Sequence, residues 1–207
     1  MKQNIHNRSE VYNKVSNEPD TIKRELLFVQ IDTDEGITGW GEITNYPGDV
    51  GNRAMQKYVA EIKPFLLGRD PTKIEEIWSR TFRLFTYTGT RGAPTAAMSG
   101  IDIALWDIFG KSVNLPIYKL LGTFKTETPI YATFPPRHAC PEKFVEEAIK
   151  LQDEGFTAYK IHPGPMSVHD TITTVDQIRL AVGSDMILML DRNHGYSFEE
   201  ALLVGRA

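Results

Sequence analysis

The chain has 207 residues, 41% of them hydrophobic and 24% charged, which is typical of a soluble globular protein with one large or two small domains. The net charge is −4 and the basic residues are scattered, which excludes the basic stripe of a nucleic-acid-binding surface. No apolar run approaches the ~18 residues of a membrane span, and the N-terminus lacks the apolar segment of a secretory signal. A single cysteine, Cys140, excludes a disulfide framework, so we expect a cytoplasmic protein.

Two strands are predicted near the N-terminus. Residues 1–25 are polar and weakly patterned, whereas residues 26–32 and 37–43 are rich in β-forming side chains. The segment between these strands, residues 34–36, ends in glycine and has the composition of a hairpin turn. Gly39 and Gly41 in the second strand predict the close approach of another backbone.

A helical segment follows. Residues 45–52 contain proline and glycine and predict a loop. Asp70 and Pro71 predict the N-cap and first turn of a helix, and Gly100 and Ala104 predict close packing in a later one. Apolar residues at helical spacing predict helices over residues 53–67, 71–85, 93–112 and 117–121.

The pattern changes near residue 125. Strand and helix patterns then alternate three times with short loops, which predicts a parallel sheet with right-handed crossovers. We therefore expect an α+β domain over residues 1–125 and an α/β region over residues 126–207. The strands of that region are predicted over residues 128–134, 157–162 and 186–191, and the helices over residues 141–154, 168–182 and from 197 onward.

Three strand–helix units are too few for a complete barrel, because a (β/α)8 barrel takes roughly 250 residues. Left alone, a three-stranded parallel sheet would expose two edges and half of its core. The region is therefore either a small open sheet or a barrel that has been cut short. Both architectures place active sites at the carboxyl ends of their strands.

Polar side chains stand at two of these strand ends. Alternation along a strand puts Lys160 and His162 on one face. Asp191 closes the next strand, whose apolar composition predicts burial. Two proton-carrying groups beside a carboxylate suggest an acid/base site next to a metal. Three plainer interpretations stay open. Lys160 could reach out to solvent, His162 could end its strand and hydrogen-bond a loop, and Asp191 could form a turn in the following loop.

Three further segments, together with these strand ends, resemble the enolase superfamily, in particular its mandelate racemase and muconate-lactonizing branch. They are DEGITGWGE at residues 34–42, AAMSGIDIALWD at 96–107 and LPIYKLLG at 115–122. The resemblance implies an α+β capping domain followed by a partial (β/α) TIM-type barrel, of which only the first three βα units are present. It also implies a shared step, the removal of the proton α to a carboxylate with an enolate that Mg2+ stabilises.

The resemblance assigns roles at the strand ends. Lys160 matches the first lysine of the family's Lys-x-Lys motif, and His162 matches the second, the usual base for one substrate face. Asp191 matches the first of three carboxylate ligands of Mg2+, and Asn193 matches a frequent substrate contact. The identity of the base that removes the proton stays open between Lys160 and His162. A histidine titrates near neutral pH, whereas a lysine needs a pKa lowered by burial or nearby cations.

Substrate contacts are expected elsewhere as well. Residues 12–22 and 45–52 match the family's mobile lids, so Tyr46 and Arg53 are candidates for substrate specificity. Arg137 follows the first barrel strand and could also face the substrate, with His138 beside it. Arg137 and His138 could equally well be solvent-exposed residues of a loop.

The resemblance implies that the intact protein is a Mg2+-dependent enzyme acting on a small-molecule carboxylate. Dehydration of a sugar acid comes first because it is common in this branch. A racemase or epimerase, or a cycloisomerase, is the alternative within the superfamily. A noncatalytic chain is the alternative of another class, either a degenerate member or a partner in binding or assembly.

The family's other two metal ligands and its opposite-face base lie on later strands. One carboxylate cannot hold Mg2+ firmly. We therefore expect this chain to be a C-terminally truncated fragment that is inactive alone. The resemblance further implies that the intact protein forms homo-oligomers.

Overall fold

Two compact units make up the chain, Met1–Phe124 and Lys125–Ala207. A computed structural model describes residues 3–12, 24–43 and 51–207, with the backbone alone for residues 3–12 and 24–25. The first unit contains β1 (Gln3–Tyr12), β2 (Arg24–Thr33), β3 (Thr38–Ile43), α1 (Asn52–Leu66), α2 (Ile74–Leu84), α3 (Ala93–Ser112) and α4 (Ile117–Leu120). The second contains β4 (Ala132–Thr133), α5 (Pro141–Asp153), β5 (Ala158–Ile161), α6 (Val168–Val182), β6 (Ile187–Leu190) and α7 (Phe198–Arg206).

The sheet of the first unit is antiparallel, in the order β1-β2-β3. β1 pairs with β2 along its full length, from Gln3 opposite Thr33 to Tyr12 opposite Arg24. This strand was not predicted, because the sequence QNIHNRSEVY has no alternation of apolar and polar residues. Its pairing with a neighbouring strand, rather than its own composition, defines it.

One face of this sheet packs against helices. Buried side chains alternate along β2 at Leu27, Val29 and Ile31, as expected of a strand with one face in a core. The core continues into the two longest helices of the unit. Their buried apolar residues are Met55, Val59, Ile62 and Leu66 of α1 and Ala97, Met98, Ile101, Ala104, Leu105 and Ile108 of α3.

β3 and α3 approach each other almost backbone to backbone. A Cβ atom at Gly41 would lie 1.9 Å from the carbonyl oxygen of Gly100, and one at Gly39 would lie 2.2 Å from that of Ala104. In the opposite direction, a Cβ atom at Gly100 would lie 2.3 Å from Cγ1 of Ile43. Only glycine fits at these positions, which confirms the close approach predicted from the sequence.

Side chains of α3 also cover the free edge of β3. The Trp40 N–H donates to Asp107 Oδ2 at 2.8 Å, and Lys111 Nζ donates to the Thr38 carbonyl oxygen at 2.7 Å. Lys111 and Asp107 are themselves paired at 2.6 Å. Backbone groups that an edge strand would otherwise leave unpaired are therefore satisfied by the helix.

Helix α2 begins later than predicted. Asp70 Oδ1 accepts hydrogen bonds from the N–H and the hydroxyl of Thr72, at 2.9 and 2.7 Å. The helix itself begins at Ile74, with Lys73 as its N-cap residue. The predicted N-cap role of Asp70 and Pro71 is wrong, because this side chain closes a turn of its own before the helix.

The sheet of the second unit is parallel, in the order β4-β5-β6. One face of this sheet, which we call the outward face, packs against the helices. Its residues Ala132, Tyr159 and Ile161 are buried together with Phe144 of α5 and Ile178 of α6. The predicted order of an α+β domain followed by three βα units is thereby confirmed. None of the described helices combines the length and apolar character that a membrane span requires.

β4 is shorter than the predicted strand over residues 128–134. It contains two residues, Ala132 and Thr133, which pair with Tyr159 and Lys160 of β5. Prolines at positions 129, 135 and 136 flank this pair of residues. A proline has no N–H for a sheet ladder, so regular pairing cannot extend far in either direction.

A buried carboxylate ties α5 to the outward face of β5. The Glu147 side chain is only 8% exposed and accepts hydrogen bonds from the Arg137 guanidinium and the Tyr159 hydroxyl. The Arg137 guanidinium in turn stacks 3.7 Å above the ring of Phe134. Burial raises the pKa of Tyr159 to about 12, so its hydroxyl remains a donor to the carboxylate.

The contact between β3 and α3 predicts a large stability cost for Gly41→Ala. Overpacking should destabilise the first unit by about 1–3 kcal/mol or more, because backbone atoms must move apart. All three tryptophans lie in this unit, so urea unfolding followed by tryptophan fluorescence reports on it. Glu61→Ala is the control, because Glu61 is an exposed residue of α1 in the same unit. Equal unfolding midpoints for both variants would contradict the close contact.

The Glu147 cluster predicts that Glu147→Gln destabilises the second unit by about 1–3 kcal/mol, because it leaves a guanidinium without its counterion. Urea unfolding followed by far-ultraviolet circular dichroism measures this loss. Glu146→Gln is the matched control on the same helix, where the carboxylate is 64% exposed and pairs with Lys143. That change should stay within about 0.5 kcal/mol. A loss no larger for Glu147→Gln than for the control would contradict the structural role.

Candidate active site

The carboxyl ends of β5 and β6 bring the predicted strand-end residues together. Lys160 is paired with Met189 across the sheet, and the Asp191 N–H donates to the Ile161 carbonyl oxygen at 2.9 Å. His162 and Asp191 therefore continue the two strands in register. Because side chains alternate, Lys160, His162 and Asp191 share the face opposite the helix-packed one.

Lys160 and Asp191 form an ion pair. Lys160 Nζ lies 3.3 Å from Asp191 Oδ2, and the two side chains are 23% and 37% exposed. Desolvation lowers the pKa of Lys160, but hydrogen bonds to Asp191 and Tyr131 outweigh it, so the pKa is raised above its usual value. In this arrangement Lys160 is an ammonium group, which is the opposite of the lowered pKa that a lysine base requires.

Asp191 is also held by the loop that follows β6. Its Oδ1 accepts the Asn193 N–H at 2.9 Å, and this bond is the main cause that lowers the pKa of the carboxyl group. Burial opposes this effect, and Lys160 adds to it. Asn193 and His194 both adopt left-handed backbone conformations, with φ of 51° and 65°. A non-glycine residue pays strain for such a conformation, and strain of this kind clusters at functional loops.

Asn193 also contacts the second candidate base. Its amide nitrogen Nδ2 lies 3.3 Å from His162 Nδ1. The loop therefore reaches both residues left open as the base, Lys160 through Asp191 and His162 through Asn193. Together these contacts gather four of the predicted site residues at one edge of the sheet.

Asp191 suits a Mg2+ ion as one ligand. Its carboxylate is partly exposed at the strand end, and carboxylate oxygens are the donors that Mg2+ prefers. Within the part of the chain that the structure describes, no three His, Cys, Asp or Glu side chains come close enough to hold a metal together. The described residues thus fit one position of a magnesium site and leave its other positions to other donors.

Tyr131 belongs to this cluster and was not predicted. Lys160 Nζ lies 5.2 Å from the centroid of the Tyr131 ring, and this side chain is one cause of the raised pKa of Lys160. The register between β4 and β5, which the sequence alone does not give, explains its position. Thr133 pairs with Lys160, so a residue two positions before Thr133 shares the same face of the sheet.

The other predicted contacts lie on the other side of the same sheet, in the first unit, or outside the described residues. Arg137 binds Glu147 and stacks on Phe134, on the outward side of the sheet. Arg53 is an exposed residue of α1 in the first unit. Tyr46 lies outside the described residues, as do positions 13–22 and 45–50 of the two predicted lids.

Family models match both units of the chain. Residues 16–122 match the mandelate racemase / muconate lactonizing enzyme N-terminal domain. Residues 143–207 match the model described as enolase C-terminal domain-like. The first of these matches alone covers more than half of the chain.

Individual relatives agree with these models. The chain is 36% identical over 185 residues to an arabinonate dehydratase of Saccharolobus solfataricus, which covers 88% of this chain and 49% of that protein. It is 35% identical over 187 residues to a D-galactarolactone cycloisomerase of Agrobacterium fabrum, covering 88% and 48%. The crystal structure of a racemase from Streptomyces coelicolor with bound magnesium matches with a TM-score of 0.83 and 28% identity, covering 97% and 58%.

The chain thus spans about half the length of the curated relatives it matches. The antiparallel first unit and the parallel βα units after it confirm the predicted fold class, a capping domain followed by part of a barrel. The resemblance inferred from the sequence motifs is likewise confirmed. The chain belongs to the mandelate racemase / muconate lactonizing enzyme family of the enolase superfamily.

Proposed function

We propose that the whole protein removes the proton α to the carboxylate of a sugar acid, with Mg2+ as cofactor, and thereby dehydrates the acid. Lys160, His162 and Asp191 share one face at the carboxyl ends of adjacent parallel strands, with Lys160 Nζ 3.3 Å from Asp191 Oδ2. Relatives named as dehydratases of arabinonate and galactonate support the reaction class.

Removal of this proton needs a base, because a proton beside a carboxylate is very weakly acidic. Lys160 can accept it only as the neutral amine. The Cα–H bond then breaks, an N–H bond forms, and the electron pair moves towards the substrate carboxylate. The ion pair with Asp191 keeps Lys160 protonated, so turnover requires that this pair separate. His162, on the same face of β5, is the second group that can handle the proton.

Asp191 would hold Mg2+ through its carboxylate. When bound, Mg2+ supplies positive charge to the oxygens that become more negative as the proton leaves. One carboxylate gives only weak binding, so we propose that other parts of the whole protein supply the additional ligands. Asn193 is proposed to contact the substrate from the loop beside Asp191.

Cycloisomerisation and racemisation are the second candidates. The chain is nearly as similar to a D-galactarolactone cycloisomerase as to an arabinonate dehydratase, at 35% and 36% identity. All of these reactions begin with removal of the α-proton and differ in the fate of the enolate. Dehydration needs a general acid near the leaving hydroxyl, whereas racemisation needs a second base on the opposite face.

The proposal predicts exchange of the α-proton with solvent. The whole protein, with Mg2+ and a panel of sugar acids in D2O, should release water from one of them. In the molecules of that acid that have not yet lost water, the α-proton should exchange for deuterium, because the enolate can be protonated again. Lys160→Met should slow exchange roughly 100- to 10,000-fold, the usual loss for a general base. Lys143→Met is the control, because that lysine is exposed and pairs with Glu146. If Lys160→Met and His162→Asn both leave exchange unchanged, the site assignment is wrong.

The 207-residue chain is predicted to show no turnover by itself, because the described residues bring a single carboxylate to the metal position. The same deuterium assay on the purified chain, at millimolar Mg2+, measures this. Turnover would show that Asp191 alone suffices or that the assignment of the metal position is wrong. The coding sequence after Ala207 distinguishes between an enzyme and a noncatalytic chain. The enzyme hypothesis requires two further strands that end in acidic residues.

A further inference from the structure

The contact between Asn193 and His162 joins an amide nitrogen to a ring nitrogen. Asn193 Nδ2 faces His162 Nδ1 at 3.3 Å. An amide nitrogen can donate a hydrogen bond but cannot accept one, so Nδ1 must be the acceptor. A neutral imidazole carries one proton, and with Nδ1 unprotonated that proton sits on Nε2.

The backbone on both sides of this contact is restrained. The Asn193 N–H is bound to Asp191 Oδ1 at 2.9 Å, and its φ of 51° gives the turn a left-handed conformation that asparagine tolerates. On the other side, Pro163 restricts His162 to an extended backbone conformation. The amide is therefore presented to the ring by a turn that is anchored on a neighbouring site residue.

Among the described residues, no hydrogen-bond partner meets His162 Nε2, so this N–H is available to a ligand. A neutral imidazole with its proton on Nε2 can donate a hydrogen bond to a substrate oxygen. It cannot take up a proton at the same nitrogen. The arrangement therefore suits a hydrogen-bond donor rather than a base.

We propose that Asn193 is a positioning residue that holds His162 in the Nε2–H tautomer, so that His162 donates a hydrogen bond to the substrate and Lys160 is left as the base. The role of His162 in turnover rests on the proposed function. The tautomer itself is a property of this chain and can be measured without substrate or metal.

Long-range 1H–15N correlation spectra of the 207-residue chain, at a pH where the rings are neutral, identify the protonated nitrogen of each histidine. For His162 we expect an unprotonated Nδ1 and a protonated Nε2. Asn193→Asp replaces the donor with an acceptor of the same shape, so the proton should move to Nδ1. Asn193→Gly keeps the left-handed backbone and removes the amide. His162 should then show a mixture of both tautomers, as we expect for the exposed His169.

Asn114→Asp is the matched control, because Asn114 also has a left-handed backbone, with φ of 52°, in the first unit. It should leave the His162 spectrum unchanged. A purely structural role of Asn193 would not move the proton from one ring nitrogen to the other. A wild-type His162 protonated on Nδ1, or as mixed as His169, would overturn the proposal, as would an unchanged tautomer in Asn193→Asp. None of these results bears on the α-proton exchange of the whole protein, so the two proposals can fail separately.

Discussion

The parallel register between β5 and β6 is the constraint on which the candidate site depends. It places Lys160 opposite Met189 and brings the Asp191 N–H to the Ile161 carbonyl oxygen. A slip of one residue would turn Asp191 to the helix-packed face and separate it from Lys160. Leu188 and Leu190 of β6 oppose such a slip, because they pack against the buried cluster that contains their register partners Tyr159 and Ile161.

The same strand thus serves two polar groups with different tasks. The Tyr159 side chain lies on the outward face and donates a hydrogen bond to the buried Glu147 of α5. This contact joins residues of the protein to one another and contributes to the stability of the fold. Lys160 points to the other face, where it is partly exposed and meets Asp191. The loop after β6 adds a second link through Asn193, so one short segment restrains both candidate bases.

Local patterns predicted most of the fold because they act within one element. The predicted bounds of α3 and α6 agree with those observed, and glycines at positions 39, 41 and 100 predicted a contact between distant segments. Strand β1 was not predicted, because its pairing with β2 and not its composition defines it. The site was predicted from strand ends and resemblance. The Glu147 cluster and the contact of Tyr131 with Lys160 were not, because they join residues of different elements that no local pattern links.

We propose that these strand ends form the first part of a metal-assisted site for proton removal. The most direct measurement is a crystal structure of the whole protein with Mn2+ in place of Mg2+ and a bound sugar acid. We expect an anomalous peak at the Asp191 carboxylate, with Lys160 released from Asp191 and facing the substrate α-carbon. A metal bound without Asp191, or Lys160 directed away from the substrate, would contradict it.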